Sequence, residues 1–135
     1  MKAKNIFIIG FILVAGLNAC KKDDTTTSTE TFTRADYVGS WACTETPVAK
    51  ILNFDCTITT DVNTETNINI SNFANLHGTA FAIVSGKNLI LPKQTFSGNT
   101  FEGYGTMENK NFISWHYYVK DNTDSLVYNT TFNRK

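Results

Sequence analysis

Cysteine, histidine and acidic side chains are the groups in this chain that could do chemistry unaided. The three cysteines are Cys20, Cys43 and Cys56, and no two of them have the CxxC spacing of a redox dithiol. The two histidines are His77 and His116. His77 falls in a loop-like stretch. His116 shares the more polar face of a strand with Ser114, and Glu102 and Asp61 are the nearest candidate carboxylates. A Ser/His/acid relay needs tighter signals than these, and separate histidines without HExxH or a Cys/His cluster make a poor zinc site. No carboxylate pair has diagnostic spacing, and no glycine-rich phosphate loop leads from a strand into a helix. We therefore expect no catalytic residue, no metal and no cofactor in a protein that is not an enzyme.

The chemistry expected of Cys20 is acylation. Lys2 and Lys4 give a basic start, residues 6–17 are apolar or small, and Leu17-Asn18-Ala19-Cys20 follows. The apolar run is shorter than the ~20 residues of a membrane span and suits a signal-peptide core. Leu-x-Ala-Cys resembles the lipobox of bacterial lipoproteins. The resemblance implies a signal peptide over 1–19, cleavage before Cys20, and a diacylglyceryl group, often with a further acyl chain such as palmitate, on that cysteine. Two or three chains make a lasting anchor where one gives marginal binding. Lys21 stands where an aspartate would resemble an inner-membrane retention signal, so the outer membrane is expected, on its periplasmic face or at the cell surface. Residues 20–35 are polar and threonine-rich, too poor in apolar side chains to offset ordering entropy, and read as a flexible linker.

With Cys20 acylated, Cys43 and Cys56 remain as an even pair. Both lie in strand-like runs, and an oxidising envelope favours a disulfide between them; two separate buried thiols are the alternative. That bridge would close a loop of about 14 residues, worth roughly 3 kcal/mol in the chain-entropy view. The chain has 12 basic and 12 acidic residues; removal of Lys2 and Lys4 leaves 10 against 12, net −2. Such a balance gives no basic face for nucleic acid. Residues 36–135 are enough for one hydrophobic core.

The elements that must position these residues are short strands. Candidates are 40–46, 56–62, 65–71, 79–85, 88–91, 94–97, 100–107, 112–120 and 125–133, rich in Thr, Ile, Val, Phe and Tyr. Gly/Asn/Asp turns such as Ser85-Gly86-Lys87-Asn88 and Ser97-Gly98-Asn99-Thr100 separate them, and such short links force antiparallel neighbours. Alternation assigns Ile113, Trp115, Tyr117 and Val119 to one face and Phe112, Ser114, His116 and Tyr118 to the other. Ile68 and Ile70 alternate with Asn67 and Asn69. Gly103 and Gly105 mark a strand that bends or is closely approached. Single helical turns are candidates at 34–38 and 73–78. The fold class is all-β: one antiparallel meander of about eight strands over 36–135, closed into a small up-and-down barrel, with a β-sandwich or open curled sheet as the alternative.

At Gly39-Ser40-Trp41 the chain resembles the lipocalins and the wider calycin superfamily. In that family the tryptophan packs across the closed end of the barrel, and an arginine near the end of the last strand stacks on it. The resemblance implies that Trp41 and Arg134 form the barrel-closing pair, through a cation–π contact of about 0.5–2 kcal/mol.

Two functions follow. A lipid-anchored barrel would hold one small apolar or amphipathic ligand, lined by Phe81, Ile83, Trp115, Tyr117 and Tyr128, although the same side chains can simply fill the interior. Alternatively, an envelope interaction or structural protein would present its loops or outer face to a protein or glycan. The expected partners are the membrane, through acyl chains on Cys20, and a small apolar ligand; nucleic acid is not expected, and the chain is expected to be a monomer.

Overall fold

The computed structural model describes residues 30–46 and 50–135. The expected signal peptide, Cys20 and the expected linker as far as residue 29 lie outside the described residues.

The chain forms a closed barrel of eight antiparallel strands in sequence order. They are β1 (Gly39–Thr46), β2 (Leu52–Thr60), β3 (Asn67–Ser71), β4 (Thr79–Ser85), β5 (Asn88–Phe96), β6 (Asn99–Asn109), β7 (Phe112–Lys120) and β8 (Ser125–Arg134). A helical turn, α1 (Arg34–Tyr37), precedes β1, and a 3-10 turn (Phe73–Asn75) links β3 to β4. The all-β meander is therefore a small closed up-and-down barrel, and the sandwich and open-sheet alternatives fall away. Closure gives every strand two neighbours, because β1 also pairs with β8 from Trp41↔Arg134 to Thr46↔Asn129.

The main differences from the sequence reading concern three strands. Segments 88–91 and 94–97 are one strand, β5, carried through Pro92 by a shift of register between Leu91 and Gln94. Proline lacks the N–H for a ladder bond, and a bulge accommodates it. β2 begins at Leu52 rather than at Cys56, with Leu52 paired to Glu45. β3 begins at Asn67 rather than Glu65, because Asp61 Oδ1 accepts hydrogen bonds from the N–H groups of Asn63 (2.7 Å) and Thr64 (3.1 Å) and turns that chain segment.

Alternation sorts the side chains as expected along β3 and β7, and β8 follows the same rule. Ile68, Ile70, Ile113, Trp115, Tyr117, Thr130 and Phe132 are buried inside. Gly103 and Gly105 lie on the inner face of β6. A Cβ on Gly105 would come within 2.8 Å of the Trp115 indole, and one on Gly103 would collide with the backbone of Tyr117. Their bareness lets the two large rings of β7 lie across β6. β4 and β5 pair only through Ile83↔Ile90, Val84↔Leu89 and Ser85↔Asn88. Beyond that point the Gln94 side chain bridges the wall, accepting from Phe81 N–H (2.9 Å) and donating to Phe81 C=O (2.8 Å).

One end of the barrel is sealed by α1. Asp36 accepts from the N–H and hydroxyl of Thr33, both at 2.8 Å, and these bonds, with Lys110 at 3.2 Å, hold its carboxyl down at about 2. Phe32 and Arg34, assigned to the linker from sequence, belong to this seal. Phe32 packs on the core, and Arg34 Nη1 donates to the carbonyls of Asp61 (3.1 Å) and Thr64 (3.0 Å). Tyr37 OH donates to Gly86 C=O at 2.8 Å, and burial pushes that phenol up to about 12.

Trp41 and Arg134 meet here. The guanidinium lies 4.3 Å from the indole centroid. Its three nitrogens donate to the carbonyls of Lys110 (2.7 Å), Val38 (2.9 Å) and Asp36, while Trp41 Nε1 donates to Tyr37 C=O at 3.0 Å. Gly39 (φ +140°) starts β1 directly below, where a Cβ would press on Arg134 Nη1 at 2.9 Å. One side chain thus ties α1, the β6–β7 turn, β1 and β8. We expect Arg134→Ala to lower stability by about 2–4 kcal/mol, from the lost cation–π contact and charged hydrogen bonds. Arg134→Lys should recover less than half, since it keeps the charge and loses the fork. The urea midpoint at constant m reads both; a loss below about 0.5 kcal/mol, the range of an ordinary surface substitution, would show that closure does not depend on this residue.

Candidate functional site

The opposite end is built differently. The segment between β3 and β4 folds inward there and delivers Phe73 into the barrel. Its ring sits 4.8 Å from Tyr117, 5.6 Å from Trp115, 6.0 Å from Phe101 and 6.4 Å from Phe132, centroid to centroid. The backbone reaches this position through left-handed φ values at Asn72 (60°), Ala74 (54°), Asn75 (56°) and His77 (56°). Asparagine tolerates that region; alanine does so at about 1–2 kcal/mol. Local bonds hold the bend: Asn72 Nδ2 donates to Asp55 C=O at 2.8 Å, His77 N–H to Asn72 Oδ1 at 3.1 Å, and Ser97 Oγ to Leu76 C=O at 3.0 Å.

Beside Phe73 a cleft of about 260 Å³ remains, lined by Glu45, Ala74, Leu76, Asn99, Val119 and Tyr128. Glu45 ends the inner face of β1 and is only 5% exposed. Tyr117 OH donates to Glu45 Oε2, and Thr130 Oγ1 donates to Tyr117 OH at 3.3 Å. Burial raises the Glu45 carboxyl above its ordinary value, against the opposing pull of Tyr117 and Thr130. Burial first, then the neighbouring Glu45, pushes the Tyr117 phenol far up. The Tyr128 ring stacks on Tyr117 at 5.7 Å and 15°. The cleft thus joins an apolar wall to a buried hydrogen-bond chain ending in a carboxyl.

The ligand-lining residues expected from sequence divide into three groups. Tyr128 lines the cleft. Trp115 and Tyr117 point inward and belong to the packed interior, with Tyr117 touching the cleft lining through Glu45 and Tyr128. Phe81 and Ile83 do not line the interior: they lie on the outer wall, half-buried. The register Ile68↔Ala82 and Ile70↔Ala80 puts the two alanines inward with the isoleucines, so Phe81 and Ile83 must face out. Trp115 Nε1 is buried and, among the described residues, has no hydrogen-bond partner.

Cys43 and Cys56 are free thiols here, each 2% exposed, which is the buried-thiol arrangement of the two that the sequence allows. They share the inner face, but Cys43 is paired with Phe54 and Cys56 with Trp41, a diagonal rather than direct juxtaposition. Cys56 Sγ donates to Asn72 C=O at 3.3 Å, and the neighbouring Cys43, then burial, pushes its thiol far up.

Ser114 and His116 are on the outer wall with separate partners: Ser114 Oγ donates to Glu108 at 2.9 Å, and His116 Nδ1 bonds Asn129 Oδ1 at 2.8 Å. Glu102 pairs with Tyr118 across β6 and β7. Tyr104, His116 and Tyr118 form an outer aromatic row with ring spacings of 5.2 and 5.5 Å, and Tyr104 is 57% exposed. Among the described residues no three His, Cys, Asp or Glu side chains are placed to share a metal ion.

Glu45, Thr130 and Phe73 were not singled out from sequence. Glu45 had a readable signal, since it shares parity with Trp41 and Cys43 and so puts a carboxyl on an inward face.

No family model and no curated protein matches this chain. Solved structures match in fold. The barrel EF1p2_mFAP2b bound to DFHBI superposes with a TM-score of 0.57 and 14% identity, covering 75% of this chain and 95% of that one. The redesigned β-barrel b11L5F_LGL gives 0.58 and 9%, covering 76% and 95%. A protein of unknown function in the DUF3598 family, from Nostoc punctiforme, gives 0.51 and 11%, covering 78% of this chain and 50% of its own. At these identities the likeness concerns the fold.

The strain beneath the mouth is measurable. Ala74→Gly should stabilise the protein by about 1 kcal/mol, by removing the left-handed penalty net of the added chain entropy. Phe73→Ala should cost about 3–5 kcal/mol as a large-to-small core change. Chemical denaturation reads both; destabilisation by Ala74→Gly would contradict the strained geometry.

Proposed function

We propose that this protein is a non-catalytic, lipid-anchored binding module of the bacterial envelope that takes one small amphipathic ligand at the open mouth of its barrel. The observation that carries the reading is the cleft of about 260 Å³ beside Phe73, which combines apolar side chains with a buried carboxyl. Small-molecule sites begin near 300 Å³ and consist of an apolar wall with a few convergent polar groups. The volume therefore favours a small ligand, or a larger one that leaves part of itself in solvent. A barrel of this fold that binds DFHBI supports the same reading by analogy. The lipobox-like Leu17-Asn18-Ala19-Cys20 supports the anchor, in the outer membrane. Chain direction adds a geometric argument: α1 and the N-terminal side of β1 are at the sealed end, so an anchor at Cys20 joins the barrel opposite its mouth.

A second reading rests on the outer aromatic row of Tyr104, His116 and Tyr118, which would present a stacking surface to a protein or glycan.

Native mass spectrometry of the protein from its own host should show a co-purifying small molecule that Tyr128→Ala weakens. Repeated isolation of the bare chain would count against the ligand reading. For the anchor, Cys20→Ser should move the protein from the membrane fraction to the soluble fraction. Continued membrane association would remove lipidation from the account.

A further inference from the structure

We propose that the mouth cleft selects ligands carrying a protonated amine, with the ammonium on the Glu45 carboxylate and the apolar tail against Ala74, Leu76 and Val119. The inference rests on the reading of the mouth as a ligand site and adds the chemical class of the ligand.

Glu45 is nearly out of solvent, yet among the described residues no basic side chain forms an ion pair with it. The ion pairs among the described residues are Lys110–Asp36 and Lys135–Asp55, and neither involves Glu45. The titratable groups that face it are Tyr117 from β7, Tyr128 from β8 and Cys56 from β2, and none carries positive charge. A buried carboxylate without a counter-charge is costly, and a cation at its side recovers that cost. An ammonium ligand would supply the missing charge; a carboxylate ligand would add repulsion, and a neutral one would leave the burial uncompensated.

The hydrogen-bond chain has a direction that fits. Thr130 donates to Tyr117, and Tyr117 donates to Glu45 Oε2, so the protein's donors converge on the carboxyl as acceptor. An ionised carboxylate offers about four acceptor positions, and the donor chain occupies few of them. The carboxyl lines the cleft, so the rest are within reach of a ligand N–H. The Tyr128 ring on the same wall offers an aromatic face to a cation. The remaining lining, Ala74, Leu76 and Val119, suits a short hydrocarbon.

The pH dependence has a definite sign. Burial raises Glu45, so lowering the pH through the acidic range neutralises it first and weakens ammonium binding. An alcohol of the same length should show no such loss.

Isothermal calorimetry with hexylammonium, hexan-1-ol and hexanoate tests this on the mature chain from residue 20 carrying Cys20→Ser, which has no acyl chain to compete. We expect hexylammonium to bind at least about tenfold more tightly than hexanol, a difference readily resolved in Kd, and hexanoate to bind most weakly. The preference should shrink as the pH falls, and Glu45→Gln should abolish the amine-over-alcohol ratio. Equal affinity for amine and alcohol in the unsubstituted cleft would overturn the amine selectivity and leave the ligand site standing. No binding by any of the three would overturn both.

Discussion

Phe73 fills the barrel from its open end, and much of the architecture follows from that ring. It contacts Trp115, Tyr117, Phe101 and Phe132 at once, so it joins β6, β7 and β8 across the interior. A buried phenylalanine contributes about 1.5–3 kcal/mol, and each left-handed non-glycine residue withdraws about 1–2 kcal/mol at most, less for asparagine. Ring burial and backbone strain are therefore close in size. The balance is tipped by the local bonds of Asn72, Ser97 and Asp55. The plug also sets the scale of any binding site. With Phe73 in place the interior is packed, and a cleft of about 260 Å³ lies beside it.

The two ends of the barrel treat polar groups in opposite ways. At the sealed end every arm of the Arg134 guanidinium meets a carbonyl, and the indole of Trp41 covers its face. The hydrogen-bonding nitrogens there all have acceptors. At the mouth, Glu45 is buried with a hydrogen-bond donor and, among the described residues, no ion-pair partner. The first arrangement serves closure, and the second is the one on which the proposed amine selectivity rests. Free Cys43 and Cys56 sit between these zones on the inner face of β1 and β2.

The meander was legible because alternation and turn chemistry are local. Ile113, Trp115, Tyr117 and Val119 declare a face without knowledge of any partner strand, and Gly39-Ser40-Trp41 with Arg134 resembled a known closure. β4 was misread because Thr-Ala-Phe-Ala-Ile-Val offers two parities: size favours Phe81 and Ile83 inside, while the register with Ile68 and Ile70 puts Ala80 and Ala82 there. Pro92 looked like a strand end because the bulge that absorbs it is a property of the β5–β6 pair. The cleft was hidden for a similar reason. Glu45 and Tyr117 are far apart in the chain and meet only because closure brings β1 beside β8 and β7. The inward turn of Phe73 depends on φ values that composition does not reveal.

A methyl-resolved magnetic resonance titration with hexylammonium tests the central claim, that the open mouth is where this barrel binds. The methyl signals of Ala74, Leu76 and Val119 should shift together and saturate with one affinity, while Ile90 and Val127 on the outer wall stay in place. Shifts confined to Ile90, Val127 and the rings of Tyr104 and Tyr118, with the mouth unmoved, would contradict it and transfer function to the outer face.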